Sequence, residues 1–338
     1  MGRGKKDAET RREVNRVGLC FGDEALPLKA TTGGGSMAAG IYMLLILSAI
    51  PPSPAGGNYL DLSGDLFYFA RDNPTLDELL GEEWTIEMWF YVKEFPSRPQ
   101  QRYPIMNISF LLIKPGSYVI YQHNSWDKRG GELFIDKFLD VVAFFPHEEV
   151  NGVRGAVLGV PYDLPEDFLK GGVFGIAAGR WYHLAFQQKG MMIALYIDGV
   201  KRASKKLDPK LFHRWKLADF PTPLYVGYLP SAERFKDLFL ELRWCERVEG
   251  FKGAIDELRI SNVARYGNAF APPGRLRVDG HTMALWHFDE PLGSLRYEDS
   301  SGNGNTLFSS KLLPLSLKGE KPAMWGEIKR GHFEPPRR

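Results

Sequence analysis

From residue 58 onward the chain is written with a period of two. The stretch "EWTIEMWFYVKEF" puts Trp84, Ile86, Met88, Phe90 and Val92 on one face, and Thr85, Glu87, Trp89, Tyr91 and Lys93 on the other. Side chains alternate across an extended strand, so this is a strand with one apolar and one mixed face. Residues 179–204, "GRWYHLAFQQKGMMIALYIDGVKRAS", carry the same pattern twice. Trp181, His183, Ala185 and Gln187 alternate with Tyr182, Leu184 and Phe186, and a turn falls at Lys189–Gly190. Asp198–Gly199 is the residue pair that a type I′ hairpin turn needs. "YPIMNISFLLIKPGSYVIYQHN" reads as a hairpin across Lys114, Pro115 and Gly116. "NYLDLSGDLFYFA" alternates around a Ser63–Gly64–Asp65 turn, and "TPLYVGYL", "FKGAIDELRISNVARY" and "HTMALWHFDEP" add further strands. "GELFIDKFLDVVAFF" fits a strand pair, although its apolar spacing also permits a helix.

Helical candidates are short: residues 74–80, 165–169 and 211–217. The chain of 338 residues holds 22 Phe, 14 Tyr and 8 Trp beside 36 Gly and 23 Pro, the composition of aromatic strands joined by tight turns. No repeat of 20–50 residues is visible, which argues against a propeller or solenoid. The expectation is an all-β sandwich or barrel. It forms one domain over residues 58–326, with insertions around 127–175 and 205–250 and a basic, flexible tail over 327–338.

The first 57 residues differ from the rest. Residues 1–36 are polar, without apolar periodicity, and read as a disordered leader; Met37 is the expected start of the protein. Residues 37–57, "MAAGIYMLLILSAIPPSPAGG", hold a nearly unbroken apolar run from Ile41 to Ile50. That run is too short to span a bilayer but suits the apolar region of a secretory signal, with cleavage expected near Ala55. The protein is therefore expected to be secreted, periplasmic or on the cell surface, with no stable membrane span after cleavage.

Lys and Arg number 43 against 41 Asp and Glu, a balance that gives no electrostatic footprint for nucleic acid. Two cysteines, Cys20 and Cys245, make neither a disulfide framework nor a Cys-based zinc site. The histidines show no HExxH spacing.

Four stretches together resemble one family. "EWTIEMWFYV" is similar to the early strand of laminin G-like and concanavalin A-like domains. "GRWYHLAF" with "LYIDGV" resembles their central hairpin, "FKGAIDELRISNVARY" their late strand, and "ALWHFDE" with "EDSSGNGN" a strand and loop of bacterial members. In many relatives that last piece opens the domain, whereas here it closes it. The matches span about 82 to 306 and omit both insertions. The resemblance implies an antiparallel two-sheet jelly roll in secreted proteins that bind glycans or proteins, often with a calcium ion.

Residues 298–306, "EDSSGNGNT", raise the sharpest chemical question. A P-loop is excluded, because no Lys follows the glycines until Lys311 and no helix pattern begins there. Calcium takes hard oxygens, which Asp299, Asn303 and Asn305 offer. Asp256 on the late strand and Asp65 in the early turn are further candidate ligands, and the family resemblance implies that the loop and the late-strand Asp can share an ion. The same residues are ordinary turn formers, so a plain turn stands beside the calcium reading.

Glucanases of this fold use two Glu spaced along one strand face as nucleophile and acid. Here "IDELR", "FPHEEV" and "HFDEP" place acids side by side, which on a strand sends them to opposite faces. A lectin-type site stacks a sugar on an aromatic ring while polar side chains bond its hydroxyls. "YQHNSWDKRGG" (residues 121–131) has that mixture in an expected loop, with Trp126 beside Asn124 and Asp127; Trp244 in the second insertion is another candidate. The sequence thus points to a non-catalytic secreted module that binds carbohydrate. Protein–protein adhesion is the alternative, and a glycoside hydrolase the third reading.

Overall fold

The computed structural model of the chain describes residues 50–62, 66–100, 106–129, 132–147, 152–161, 175–209, 216–219, 221–230 and 245–313. The candidate residues Asp65 and Trp244, the expected leader, the tail and the helical candidate at 165–169 lie outside the described residues. So does most of the helical candidate at 211–217, of which only Lys216 and Leu217 are described. The described residues all fall in one compact unit, which begins at Ile50.

In chain order the strands are β1 (Leu60–Leu62), β2 (Tyr68–Ala70), β3 (Glu83–Glu94), β4 (Met106–Lys114), β5 (Tyr118–Arg129) and β6 (Glu132–His147). Then follow β7 (Gly152–Pro161), β8 (Trp181–Lys189), β9 (Met192–Ile197), β10 (Val200–Lys206) and β11 (Leu224–Val226). The last are β12 (Cys245–Gly250), β13 (Lys252–Ser261), β14 (Thr282–Trp286), β15 (Arg296–Tyr297) and β16 (Leu307–Ser309). They form two sheets. One runs β1-β13-β3-β8-β9-β10, with β14 also on β13; the other runs β15-β16-β2-β11-β4-β5-β6-β7, with β12 on β4. Every pairing is antiparallel except β12 with β4. The chain passes repeatedly between the sheets, and the expected all-β jelly-roll sandwich is the fold observed. Residues 74–80 form two short 3-10 turns.

The main core lies between the sheets. Trp84, Ile86, Met88 and Phe90 of β3 meet Tyr118 and Ile120 of β5, Val141 of β6 and Leu184 and Phe186 of β8, all buried. Burial of apolar side chains at this scale is the main driving force for such a fold, since each contributes about 1.5–3 kcal/mol. A second apolar cluster covers the other face of the second sheet, with Ile108, Phe110, Val119, Tyr121, Val142 and Tyr225.

Several local expectations are corrected. "GELFIDKFLDVVAFF" is one long strand, β6, and not a pair, because its partners β5 and β7 stay in register along its whole length. β1 and β2 flank residues 63–65 but belong to different sheets. The stretch around Trp126 is not a loop: β5 continues through Arg129, with Trp126 opposite Ile135 and Asp127 opposite Phe134. Strict alternation also breaks in β13. Ile255, Leu258 and Ile260 all lie in the same core, which requires one extra residue between 255 and 258. The register shift between Asp256 and Arg259, with Glu257 at φ 51°, is that β-bulge.

Both faces of the central strands β3, β8 and β13 of the first sheet are buried. The mixed face of β3 and β8 lies under the connection between β13 and β14. Thr85 donates to the Val263 carbonyl, the Gln187 side chain to the Tyr266 carbonyl, and the Trp89 indole to the Pro273 carbonyl. Close approach fixes Gly199 in the β9–β10 turn. Its φ is 73°, and a Cβ there would overlap the Phe270 carbonyl, whose own N–H donates to the Gly199 oxygen.

Candidate functional site

Four polar side chains interrupt the inner face of the second sheet. Along β5, Tyr118 and Ile120 belong to the core, and the next two positions on that face are Gln122 and Asn124. Along β4 the corresponding residues are Asn107 and Ser109. Asn107 stands opposite Asn124, and Ser109 opposite Gln122, so the four form a two-by-two grid. Their exposures are 1%, 1%, 1% and 6% for Asn107, Ser109, Gln122 and Asn124.

The segment leaving β3 fixes how these amides point. The Asn107 amide nitrogen donates to the carbonyl and the hydroxyl of Ser97, both at 2.9 Å. The Gln122 amide donates to the Glu94 carbonyl and the Asn124 amide to the Pro96 carbonyl, each at 3.3 Å. A backbone carbonyl can only accept, so the amides cannot be flipped without losing these bonds. Asn107 Oδ1, Gln122 Oε1, Asn124 Oδ1 and Ser109 Oγ are then left buried with no hydrogen-bond partner. Each such group costs about 1–3 kcal/mol if left dry. Glu249 of β12 holds the supporting segment, accepting from the Ser97 backbone N–H at 3.0 Å and from its hydroxyl. The grid therefore offers acceptors to a donor-rich occupant: water, hydroxyl groups or a cation.

Of the residues picked out in the sequence as ligand-binding, Asn124 lies in this grid. Trp126 and Asp127 follow it on the same strand, β5. Asn107, Ser109 and Gln122 were not picked out. Their signal was present as polar residues at alternate positions inside apolar strands, "MNISFLLIK" and "YVIYQHN". Asn107 also heads an Asn-x-Ser sequon, but its amide is buried and bonded in the folded chain.

The "EDSSGNGNT" loop is a closed polar knot. Asp299 Oδ1 accepts from the backbone N–H groups of Leu285 and Ser301 at 3.0 and 2.9 Å. Its Oδ2 accepts from the Ser301 hydroxyl, the Asn305 backbone N–H and the Asn305 amide at 2.8, 3.0 and 3.0 Å. The Asn305 amide also donates to the Met283 carbonyl, while the Asn305 backbone carbonyl accepts from the Trp286 indole. The Asn303 amide donates to the Met283 carbonyl at 2.9 Å. An ion at Asp299 would have to displace bonds already made. Among the described residues no three acidic, histidine or cysteine side chains converge on a metal position.

Asp256 sits in a different cluster. Its Oδ1 accepts from the Glu257 N–H at 2.9 Å, and its Oδ2 is buried without a partner. Burial pushes its carboxyl up to about 7, with the charges of Glu257 and Asp289 adding to the rise and the Ser53 hydroxyl opposing it. Glu257, turned by the bulge, accepts from His287 Nδ1 and from the Leu276 N–H, both at 2.7 Å; Arg275 joins it to Asp289.

Glu87 anchors a third cluster. It accepts from Arg259 Nε and Nη2 at 2.9 and 2.6 Å and from the Tyr266 hydroxyl at 2.5 Å. His183 Nε2 lies 3.4 Å away, an electrostatic contact more than a formed hydrogen bond. Burial alone would raise the Glu87 carboxyl, but His183 and the Arg259 charge outweigh it and hold it below the ordinary range. Glu257 and Arg259, neighbours on the strand, thus each pair elsewhere. Glu87 and His183 are both fully buried, which suits a structural role.

No family model matches the chain, and no curated protein matches it. Among solved structures it is similar to a Bacteroides ovatus ATCC 8483 protein provisionally described as carbohydrate binding. The identity is 16% and the TM-score 0.43, over 75% of this chain and 58% of that one. It is also similar to domains LG4-5 of the mouse laminin alpha1 chain, with 17% identity and a TM-score of 0.32 over 64% and 44% of the two chains. The CBM40 of Ruminococcus gnavus IT-sialidase, bound to alpha2,3 sialyllactose, aligns at 11% identity and a TM-score of 0.35, over 62% and 91%. The chain spans 58% and 44% of the first two.

Proposed function

We propose that this protein is a non-catalytic, exported module that binds carbohydrate, with Asn124 at the mouth of its site. One observation carries the reading: Asn107, Ser109, Gln122 and Asn124 present buried, unpartnered oxygens, and the three amide nitrogens among them point away. A sugar is dense in hydroxyl donors and matches such a set. Asn124 is the least buried of the four and stands nearest the ligand; its oxygen and those behind it reach the ligand through water that relays hydrogen bonds. Trp126, two positions after Asn124 on β5, is the proposed further contact; strand alternation puts Asp127 on the opposite face. Binding without chemistry is favoured because Glu87 and Glu257 are each held by a cation, a histidine or fixed N–H donors.

The test is a glycan array probed with the wild type and Asn124→Ala, with calcium and with chelator. The reading expects oligosaccharides retained by the wild type, lost in the variant, and unaffected by chelator. An array with no retained glycan moves the function to protein adhesion.

A further inference from the structure

The segment just before β1 is written "IPPSPAGG", residues 50–57. The residue before a proline is pushed toward extended backbone, so Ile50, Pro51 and Ser53 favour a polyproline-type path. This segment lies on an aromatic floor on the outer side of the first sheet. Trp89 and Tyr91 of β3, Trp181 of β8 and Ala254 of β13 form the floor, and Ile50, Ala55 and Tyr59 pack against it. Tyr59 meets Trp181 edge-on at 5.6 Å, and Tyr91 meets it at 5.7 Å.

The polar contacts are those of peptide recognition. Trp181 Nε1 donates to the Pro51 carbonyl at 2.9 Å, and Trp89 Nε1 donates to the Pro273 carbonyl at 3.0 Å. Two indole N–H groups on one floor thus each take the carbonyl of a residue in a proline pair, Pro51–Pro52 and Pro272–Pro273. Aromatic rings with indole donors are how proline-rich extended segments are gripped elsewhere, since such segments lose little entropy on docking. Few side chains of the segment hold it down. Pro51, Pro52 and Pro54 are exposed, and Ser53, the buried one, accepts with its hydroxyl from the Ala55 N–H.

We propose that this floor is a receptor groove for a proline-rich peptide, filled in the intact chain by its own residues 50–55, which run across the floor and turn at Pro54–Ala55, where the Gly56 N–H donates to the Ser53 carbonyl. No strand includes that segment, so a cut near Ala55 releases it and leaves both sheets in place. The released groove takes a proline-rich segment of another protein. This site is separate from the Asn107–Asn124 grid, which lies on the inner face of the other sheet, and it does not rest on the glycan reading.

The full chain with a specific protease site inserted between the exposed Gly56 and Gly57 tests it. The chain is folded, cut and freed of the upstream piece. The proposal expects a red shift of tryptophan emission on release. It expects saturable reversal by a peptide IPPSPAGG, at least ten-fold weaker binding of IAASAAGG, and no reversal in a cut chain carrying Trp181→Phe. Loss of the fold on release overturns the proposal, because the segment would then be core. Equal binding of both peptides, emission unchanged by release, or reversal by an oligosaccharide and not by the peptide also overturn it.

Discussion

Asn107 and Asn124 face each other across β4 and β5, and both turn their amide nitrogens to the segment that leaves β3, leaving two oxygens buried and unpartnered. A packed core does not choose this arrangement for stability. Polar groups kept at a cost inside a fold call for an explanation, and the proposed ligand site supplies one.

The first prediction follows from that cost. Gln122→Met has nearly the same length and removes both one unpartnered oxygen and a long hydrogen bond. Its effect on unfolding free energy is expected to stay within about 1 kcal/mol, because the two losses offset. Urea titration checks it. A destabilisation of about 3 kcal/mol or more would make Gln122 a structural residue whose oxygen is satisfied in solution.

Glu87 behaves in the opposite way. Glu87→Gln leaves Arg259 buried beside a neutral partner and weakens the contact to His183. A loss of about 3–5 kcal/mol is expected, the range for breaking one side of a buried pair. Thermal unfolding of the variant measures it, and an unchanged midpoint would show that water reaches Arg259.

Asp256 gives a pH dependence with a definite sign. Its folded value of about 7 lies above the ordinary carboxyl value of 3.8, so between the two the folded chain holds a proton that the unfolded chain has released. Its contribution is full below about pH 4 and disappears as pH rises through 7. Measured in chelator, the stability of the wild type relative to Asp256→Asn should fall by roughly 3–5 kcal/mol between pH 4 and pH 8. A difference that is flat with pH would show that Asp256 is ionised throughout.

The Asp299 knot predicts how the protein responds to metal removal. Chelator should leave the melting temperature unchanged, because both Asp299 oxygens already accept N–H or O–H donors. Asp299→Ala should cost about 2–3 kcal/mol by stranding the Leu285 and Asn305 N–H groups. A fall of several degrees on chelation would establish an ion at the loop.

Much of this fold was legible because period-two alternation is local. The β8–β9–β10 hairpins follow from it, and Asp198 and Gly199 adopt the positive φ values, 50° and 73°, that their turn demands. The bulge at Glu257 was not legible. It is set by which residues of β13 must face Trp286 and the core, a non-local requirement. β6 misled because its length and apolar spacing suit two elements equally well until its neighbours are known. The calcium candidates were chosen by residue type. Type alone cannot tell that Asn305 and Ser301 spend their donors on Asp299 in the same loop. Asn124 could be found beside Trp126 by composition. Its partners in the grid sit up to 17 positions away in sequence and become neighbours only through the register of β4 with β5.

The most direct test of the central claim is calorimetric titration of the strongest oligosaccharide from the array into the wild type, Asn124→Ala and Gln122→Met. The account predicts saturable binding to the wild type, at least ten-fold weaker binding to Asn124→Ala, and weakened binding to Gln122→Met with its stability retained. Equal affinity for all three proteins would contradict it and place the ligand away from the β4–β5 grid.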